Sequence, residues 1–264
     1  GGGVSQEASD GESHYAGGSW KTWEDYEKLE FPIDSLEERL TCLKKISQIA
    51  QNEGLATHIY ILSSFHAVAT GMGLERFSLT CYDNLELVEA FMDKVEKYNR
   101  LVLGKILNET KIDFIVLDND CAFNNGLMVS PRLFEKLWFQ RTKKTIQPLQ
   151  GKGVICTMHT DGKVDEVIPF VTKLGFSAIH GIEAAANDLG EIKKKFGKKI
   201  SLIGNMDIVD LTKKSPAEIE EETKKMLTQG KQDGGYAAGC NTLVAKYIPV
   251  ENYLTMLKTI ENKL

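Results

Sequence analysis

The chain has 264 residues, of which 42% are hydrophobic, and a formal net charge of −5. That length fits one large α/β domain or two small ones, and the negative charge argues against a general binder of nucleic acid or anionic membranes. The polar, glycine-rich start is not that of a signal peptide. Five widely spaced cysteines without a CxxC motif predict a reduced, cytoplasmic protein rather than a disulfide framework.

The amino-terminal residues 1–34 carry few periodic signals, and we expect an irregular lead-in there. A single β/α domain is predicted over residues 35–264. It begins with a helix from about Leu36 to Asn52, whose leucines and isoleucines recur on one face. A second long helix is predicted from about Leu85 to Leu107, with the same periodicity.

Apolar runs rich in β-branched residues alternate with the predicted helices. We predict strands at about 57–62, 113–117, 154–158, 177–181, 200–204 and 234–239. Later helices carry clear start signals, such as the capping box of Ser215-Pro216-Ala217-Glu218. This alternation indicates a parallel sheet with right-handed crossovers. A barrel needs eight strands, so the six visible ones indicate either an open sheet or a barrel that lacks two upstream strands.

The central predicted strand, Val154 to Met158, stops at a polar cluster that ends in Gly162. In parallel α/β folds, chemistry collects at the carboxyl ends of strands. His159 and Asp161 in this cluster could therefore share one ligand or one metal ion. The alternative is that Asp161 caps a helix starting at Lys163, but capping does not require His159.

Polar residues follow the other predicted strands in the same way. Asp118 and Asp120 are candidates for a substrate-binding or general-acid role, and a capped loop is the alternative. Glu183 is a candidate metal ligand or substrate contact. Asn205 lines the pocket or shapes a turn, and Asn241 follows the last strand.

Three segments resemble the uroporphyrinogen decarboxylase superfamily, which includes tetrapyrrole decarboxylases and corrinoid-dependent methyltransferases. They are DCAFNNGLMVSPRLFEKLWFQRTKKTIQPLQGKG, MHTDGKVDEVIPFVTKLGFSAIHGIE and GNMDIVDLTKKSPAEIEEETKKMLTQGKQDGGY, followed by YIPVENYLTML. The resemblance covers about residue 55 to the end. It implies a TIM-type barrel, incomplete at the amino terminus in this chain.

The two branches of that superfamily differ in their site residues. The decarboxylases resemble one another in using no metal and in binding substrate carboxylates with arginines, of which this chain has five. They also have a histidine where Cys240 stands here. The methyltransferases hold zinc through an H-x-C pair after the central strand and a cysteine after the last. His159 and Cys240 match the first and last of these positions, and Asp161 replaces the middle cysteine.

The resemblance therefore implies a zinc-dependent methyltransferase that moves a methyl group between a small O- or N-methyl substrate and a corrinoid protein. One thiolate instead of two makes zinc more Lewis-acidic, which suits an oxygen or nitrogen donor. A metal-free decarboxylase of uroporphyrinogen or a related acid, or an inactive fragment, is the alternative. A homo-oligomer stays open, and no membrane or nucleic-acid partner is expected. The predicted residues are His159, Asp118 and Asp120 for catalysis, Glu183, Asn205 and Asn241 for substrate, and His159, Asp161 and Cys240 for metal.

Overall fold

The computed structural model describes residues 3–7 and 13–263. The chain divides into two compact units. The first contains the residues up to Asn119 together with Val129–Cys156, and the second contains Asp120–Met128 together with the residues from Thr157 on. Each unit alternates strands with helices, as the sequence predicts.

The first unit holds the amino-terminal strands and the longest helix. Its elements are β1 Gly3–Glu7, β2 Ser13–Gly18, α1 Trp23–Lys28, α2 Leu36–Asn52, β3 His58–Leu62, α3 Ser64–Met72, α4 Leu74–Asp83, α5 Leu85–Glu109, β4 Phe114–Asp118, α6 Pro131–Phe134, a π-helical turn Glu135–Phe139 and α7 Gln140–Gln150. The long helices α2 and α5 begin at the predicted residues because their apolar periodicity is strong. Helices α3 and α4 are short and were not predicted.

The lead-in is more regular than expected. Strands β1 and β2 pair in antiparallel fashion, and α1 begins with a capping box between Thr22 and Asp25. Trp20 is buried and stacks on Phe91 of α5 with ring centroids 5.1 Å apart. Sequence periodicity missed this region because its strands are five or six residues long and rich in glycine and serine.

The second unit contains the elements that follow the central strand, preceded by a short hairpin. The hairpin is β5 Ala122–Phe123 with β6 Gly126–Leu127, and β7 is Ile155–Thr160. The later elements are α8 Ile168–Lys173, β8 Ala178–Gly181, α9 Leu189–Phe196, β9 Ser201–Met206, α10 Ile208–Lys213, α11 Pro216–Gly230, β10 Tyr236–Cys240 and α12 Val250–Glu261. Helix α11 starts with the predicted capping box between Ser215 and Glu218.

Six strands form one sheet in the order β3-β4-β7-β8-β9-β10. The described pairs are parallel, and the order follows the chain. The α/β fold of TIM-barrel type with six parallel strands is therefore confirmed. Parallel strands that follow one another in the sheet bring their carboxyl ends to the same edge, so the polar strand ends within one unit lie at a common edge.

Strand β7 differs from its predicted boundaries. It extends to Thr160 because Thr157 to Thr160 continue to pair with β8 up to Gly181. His159 and Thr160 therefore belong to the strand, and Asp161 is the first residue past it. Helix α8 begins only at Ile168, so the alternative interpretation, in which Asp161 caps a helix from Lys163, is wrong.

Among the helices of residues 3–7 and 13–263, none combines the length and the apolar composition needed to cross a bilayer.

Candidate functional site

Three side chains of the second unit converge at the end of β7. They are Asp120, His159 and Asp161, and we call them the acid–histidine cluster. Their ligand atoms all lie within 4.8 Å of one another. The Nε2 atom of His159 is 3.8 Å from Oδ1 of Asp120 and 3.8 Å from Oδ1 of Asp161. The cluster therefore offers one imidazole nitrogen and two carboxylate oxygens around a common point.

Backbone hydrogen bonds hold the two acids in place. The N–H of Asp161 donates to Oδ1 of Asp120 over 3.2 Å. The hydroxyl of Thr160 donates to the carbonyl of Asp161 over 2.9 Å and accepts from the N–H of Cys121 over 3.3 Å. Because Cys121 directly follows Asp120, these bonds fasten the loop that carries Asp120 to the end of β7.

The turn after the strand requires glycine at position 162. Gly162 has a φ of +79°, and a Cβ there would lie 2.6 Å from the carbonyl oxygen of Ala122. Only glycine fits a left-handed conformation with so close an approach. The N–H of Lys163 then donates to the carbonyl of Phe123 over 3.0 Å. This turn brings the β5–β6 hairpin against the cluster.

A second histidine lies behind His159. His180 pairs with His159 in the register of β7 and β8, and their Nδ1 atoms are 2.9 Å apart. The Nε2 atom of His180 is 3.2 Å from the carbonyl oxygen of Cys240. Burial, followed by the neighbouring charge of His159, lowers the pKa of His180 to about 4. His180 is therefore neutral near pH 7.

His180 is not among the site residues predicted from the sequence. A usable signal was present, because the segments Met158-His159-Thr160 and Ile179-His180-Gly181 place a histidine at equivalent positions before two successive strand ends. Parallel strands aligned at their carboxyl ends then put the two rings side by side.

A cavity of about 490 Å³ opens beside the cluster. It is lined by Ala122, Phe123, Asn124, Asn125, Asp161, Gly162 and Glu183. The Oε2 atom of Glu183 accepts a hydrogen bond from the N–H of Gly162 over 3.0 Å, which holds this carboxylate at the cavity wall. The side chain of Asp161 is 41% exposed, so a small molecule in the cavity can contact this member of the cluster.

The structure does not bring the Cys240 sulfur into the cluster. Within the described residues, the Cys240 sulfur belongs to no group of side chains whose ligand atoms lie close enough together to hold a metal. The ring of His180 lies between His159 and the backbone carbonyl oxygen of Cys240. Burial raises the pKa of the Cys240 thiol to about 11, so the thiol is protonated near pH 7. The predicted set of His159, Asp161 and Cys240 is therefore not assembled, and Asp120 joins the first two instead.

The predicted amide residues hold backbone groups. The side-chain amide of Asn205 donates to the carbonyl of Ile182 over 3.0 Å. Asn241 accepts from the N–H of Ile208 over 3.3 Å through its side-chain oxygen. Asn205 also lines a separate cavity of about 160 Å³ next to Asp207. A role in substrate binding stays a prediction for both asparagines.

Asp118 lies in the first unit and has its own histidine partner. Nδ1 of His66 donates to Oδ1 of Asp118 over 3.0 Å. His66 is held in place at the start of α3, where its backbone N–H donates to the hydroxyl of Ser63 over 3.1 Å. The sequence placed Asp118 after a predicted strand, but its pairing with His66 was not predicted because α3 was not.

The donor set of the acid–histidine cluster fits zinc. Histidine nitrogen and aspartate oxygen are both zinc ligands, and in a tetrahedral site with bonds of about 2.0–2.2 Å the ligand atoms lie about 3.3–3.6 Å apart. The two histidine–carboxylate distances of 3.8 Å require only a small adjustment. Three protein ligands would leave a fourth position for substrate, as in catalytic zinc sites.

Comparisons with known proteins agree with this architecture. The family model described as uroporphyrinogen decarboxylase (URO-D) matches residues 3–263. No curated protein matches the chain. Among solved structures, a methyltransferase from Methanosarcina mazei aligns with a TM-score of 0.76 and 18% identity, over 99% of this chain and 76% of that one. At that identity the likeness concerns the fold alone.

Two further solved structures align more weakly. A chitinase from Rhizomucor miehei has a TM-score of 0.42 and 11% identity, over 84% of this chain and 86% of that one. An AP endonuclease, family 2, from Brucella melitensis has a TM-score of 0.42 and 11% identity, over 78% and 80% of the respective chains. Likenesses at this level carry no functional argument.

Proposed function

The chain belongs to the uroporphyrinogen decarboxylase family, whose model matches residues 3–263, and from that premise we propose that it is a zinc-dependent methyltransferase. It would move a methyl group between a small O- or N-methyl substrate and a corrinoid protein. The observation that carries this proposal is the acid–histidine cluster, in which Asp120, His159 and Asp161 present their ligand atoms within 4.8 Å of one another.

Each residue of the cluster has a defined part in the proposal. Nε2 of His159 and one oxygen each of Asp120 and Asp161 would hold zinc. Zinc bound in this way would act as a Lewis acid on the oxygen or nitrogen atom that carries the methyl group. The hydrogen bond from the N–H of Asp161 to Oδ1 of Asp120 holds the Asp120 carboxylate beside the backbone of Asp161.

The cavity beside the cluster is suited to a small substrate. Its volume of about 490 Å³ lies within the usual range for small-molecule sites. Asn124 and Asn125 line it with amide groups, and Glu183 adds a carboxylate. These side chains would orient the substrate with its methyl group exposed for transfer.

The solved methyltransferase from Methanosarcina mazei has a similar fold, and methyl transfer as the reaction class is inferred from the sequence resemblance. The corrinoid partner is inferred from the sequence resemblance to the corrinoid-dependent branch. A metal-free decarboxylase is the alternative, but only five arginines are available to bind the carboxylates of a tetrapyrrole.

The test is a methyl-transfer assay on metal-free and zinc-loaded protein. Free cob(I)alamin replaces the corrinoid protein, methylated amines and methoxy compounds serve as donors, and methylcobalamin is followed by its absorbance. We expect transfer only with zinc, and loss of transfer and of zinc in Asp161→Asn. Cys240→Ser is the matched control and should retain both.

Two results would contradict the proposal. One is protein that binds no zinc and decarboxylates uroporphyrinogen. The other is equal methyl transfer by the metal-free and zinc-loaded forms. A loss of zinc in Cys240→Ser would instead restore the ligand set predicted from the sequence.

A further inference from the structure

We propose that His180 is a positioning residue that fixes the tautomer of His159 and thereby points the lone pair of His159 Nε2 at Asp120 and Asp161. The consequence for metal binding rests on the proposed function. The hydrogen-bond geometry behind the proposal does not.

The first step concerns the proton of His180. Its Nε2 atom lies 3.2 Å from the carbonyl oxygen of Cys240. A carbonyl oxygen can only accept, so Nε2 of His180 carries the hydrogen and donates. A neutral imidazole has one N–H group, and Nδ1 of His180 is therefore an acceptor.

The second step determines which ring nitrogen of His159 carries the proton. The two Nδ1 atoms are 2.9 Å apart, which is a hydrogen-bond distance. Because Nδ1 of His180 accepts, Nδ1 of His159 must carry the proton and donate. The Nε2 atom of neutral His159 then has a lone pair and no hydrogen.

The third step is the consequence for the cluster. Nε2 of His159 is the atom that lies 3.8 Å from Asp120 and 3.8 Å from Asp161. In the tautomer set by His180, three electron-pair donors face one point, as cation binding requires. In the other tautomer, an N–H group would occupy that direction. Histidine ligands of metals commonly have their second ring nitrogen fixed by such a partner.

The backbone is built to allow this contact. His159 and His180 are register partners on β7 and β8. The next residue, Gly181, has a φ of +114°, and a Cβ there would lie 2.1 Å from the carbonyl oxygen of Thr160. Glycine therefore lets the end of β8 approach β7 closely enough to bring the two rings together, with centroids 4.8 Å apart and ring planes tilted by 35°.

The direct test is the ¹⁵N NMR spectrum of the histidine side chains in the metal-free full chain at about pH 8, where histidine is neutral. We expect the Nδ1–H form for His159 and the Nε2–H form for His180. An Nε2–H form of His159 in this protein would overturn the proposal. This measurement uses the unaltered chain, so it does not depend on the folding of a variant.

Variants extend the test to metal binding, with Zn²⁺ alone as the probe. His180→Phe keeps a ring but removes both nitrogens, and we expect His159 to change to the Nε2–H form and zinc affinity to fall by roughly 10–100-fold. His180→Asn keeps an acceptor for His159 and should restore the Nδ1–H form and most of the affinity. His58→Phe alters a histidine that stacks on Phe114 in the other unit and serves as the control.

The outcomes separate this proposal from the proposed function. An unchanged His159 tautomer in His180→Phe would overturn the role of His180, even in a protein that transfers methyl groups. The opposite outcome is a protein that has no methyl-transfer activity but in which the Nδ1–H form of His159 depends on His180. That result would support the role of His180 and contradict the proposed function.

Discussion

His66 and His159 both lie beside aspartate carboxylates at strand ends, one in each compact unit, and the two arrangements differ in distance and partners. Nδ1 of His66 is 3.0 Å from Asp118, and both side chains are 15% exposed. Nε2 of His159 is 3.8 Å from each of two carboxylates, while its Nδ1 contacts His180.

The difference lies in the partners: His66 is hydrogen-bonded to one carboxylate, whereas His159 faces two carboxylates of its own unit. At 3.0 Å the His66–Asp118 pair makes a charge-assisted hydrogen bond and stabilises the fold locally. At 3.8 Å the His159 contacts are too long for hydrogen bonds, but they leave room for a cation among three ligand atoms. We therefore expect metal binding at His159 and a structural contribution at His66.

The largest expected effect is on zinc affinity. His159→Ala removes the one nitrogen ligand, and we expect the affinity for zinc to fall by more than about 100-fold, beyond the loss typical of residues behind a ligand. His66→Ala should change it by less than about threefold. Competition with a chromogenic chelator measures the zinc affinity of both variants. An equal loss of zinc affinity in His159→Ala and His66→Ala would show that the two histidines do not differ in metal binding.

The next effect is on stability against pH. His180 has its pKa lowered from 6.5 to about 4, so the unfolded chain takes up a proton before the folded one does. The contribution of neutral His180 to the free energy of unfolding is therefore fully present above pH 6.5. It is lost as the pH falls towards about 4, and the total loss is about 3 kcal/mol. Urea unfolding of the wild type and His180→Phe at several pH values measures this loss. Parallel pH profiles of the two proteins would contradict the expectation.

A smaller effect is expected at the other histidine. Asp118→Asn replaces the carboxylate that accepts from His66 and should lower the free energy of unfolding by about 1.5–3 kcal/mol. Glu24→Gln, which alters an exposed pair with Lys28, should change it by less than about 0.5 kcal/mol. Urea unfolding distinguishes the two, and an unaffected Asp118→Asn would show that the His66 pair is not structural.

The smallest effect is expected from the hydrogen bonds of the Thr160 hydroxyl, which hold the loop that carries Asp120 next to Asp161. Thr160→Val keeps the side-chain shape but removes the hydroxyl that links Cys121 and Asp161. We expect a loss of about 1 kcal/mol in the free energy of unfolding and a weaker affinity for zinc, because Asp120 and Asp161 are less well held. Unchanged zinc affinity in a destabilised Thr160→Val would mean that the loop is held in place by its other contacts.

The local sequence was sufficient for much of the fold. Strong apolar periodicity predicted α2 and α5, and the capping box predicted the start of α11. The alternation of strands and helices predicted the parallel order of the sheet. Weakly periodic elements escaped prediction, among them β1, β2, α3 and α4, since short segments with few apolar repeats leave their structure to tertiary contacts.

The candidate site was determined in part by the sequence and in part by the tertiary structure. The sequence determined that His159 and Asp161 lie at the end of the central strand, because strand and turn signals are local. Only the tertiary structure decided that Asp120 joins them, that Cys240 does not, and that His180 lies behind His159. The physical reason is that strand register and loop hydrogen bonds join residues about 20 to 40 positions apart, so these contacts depend on how the strands align in the sheet.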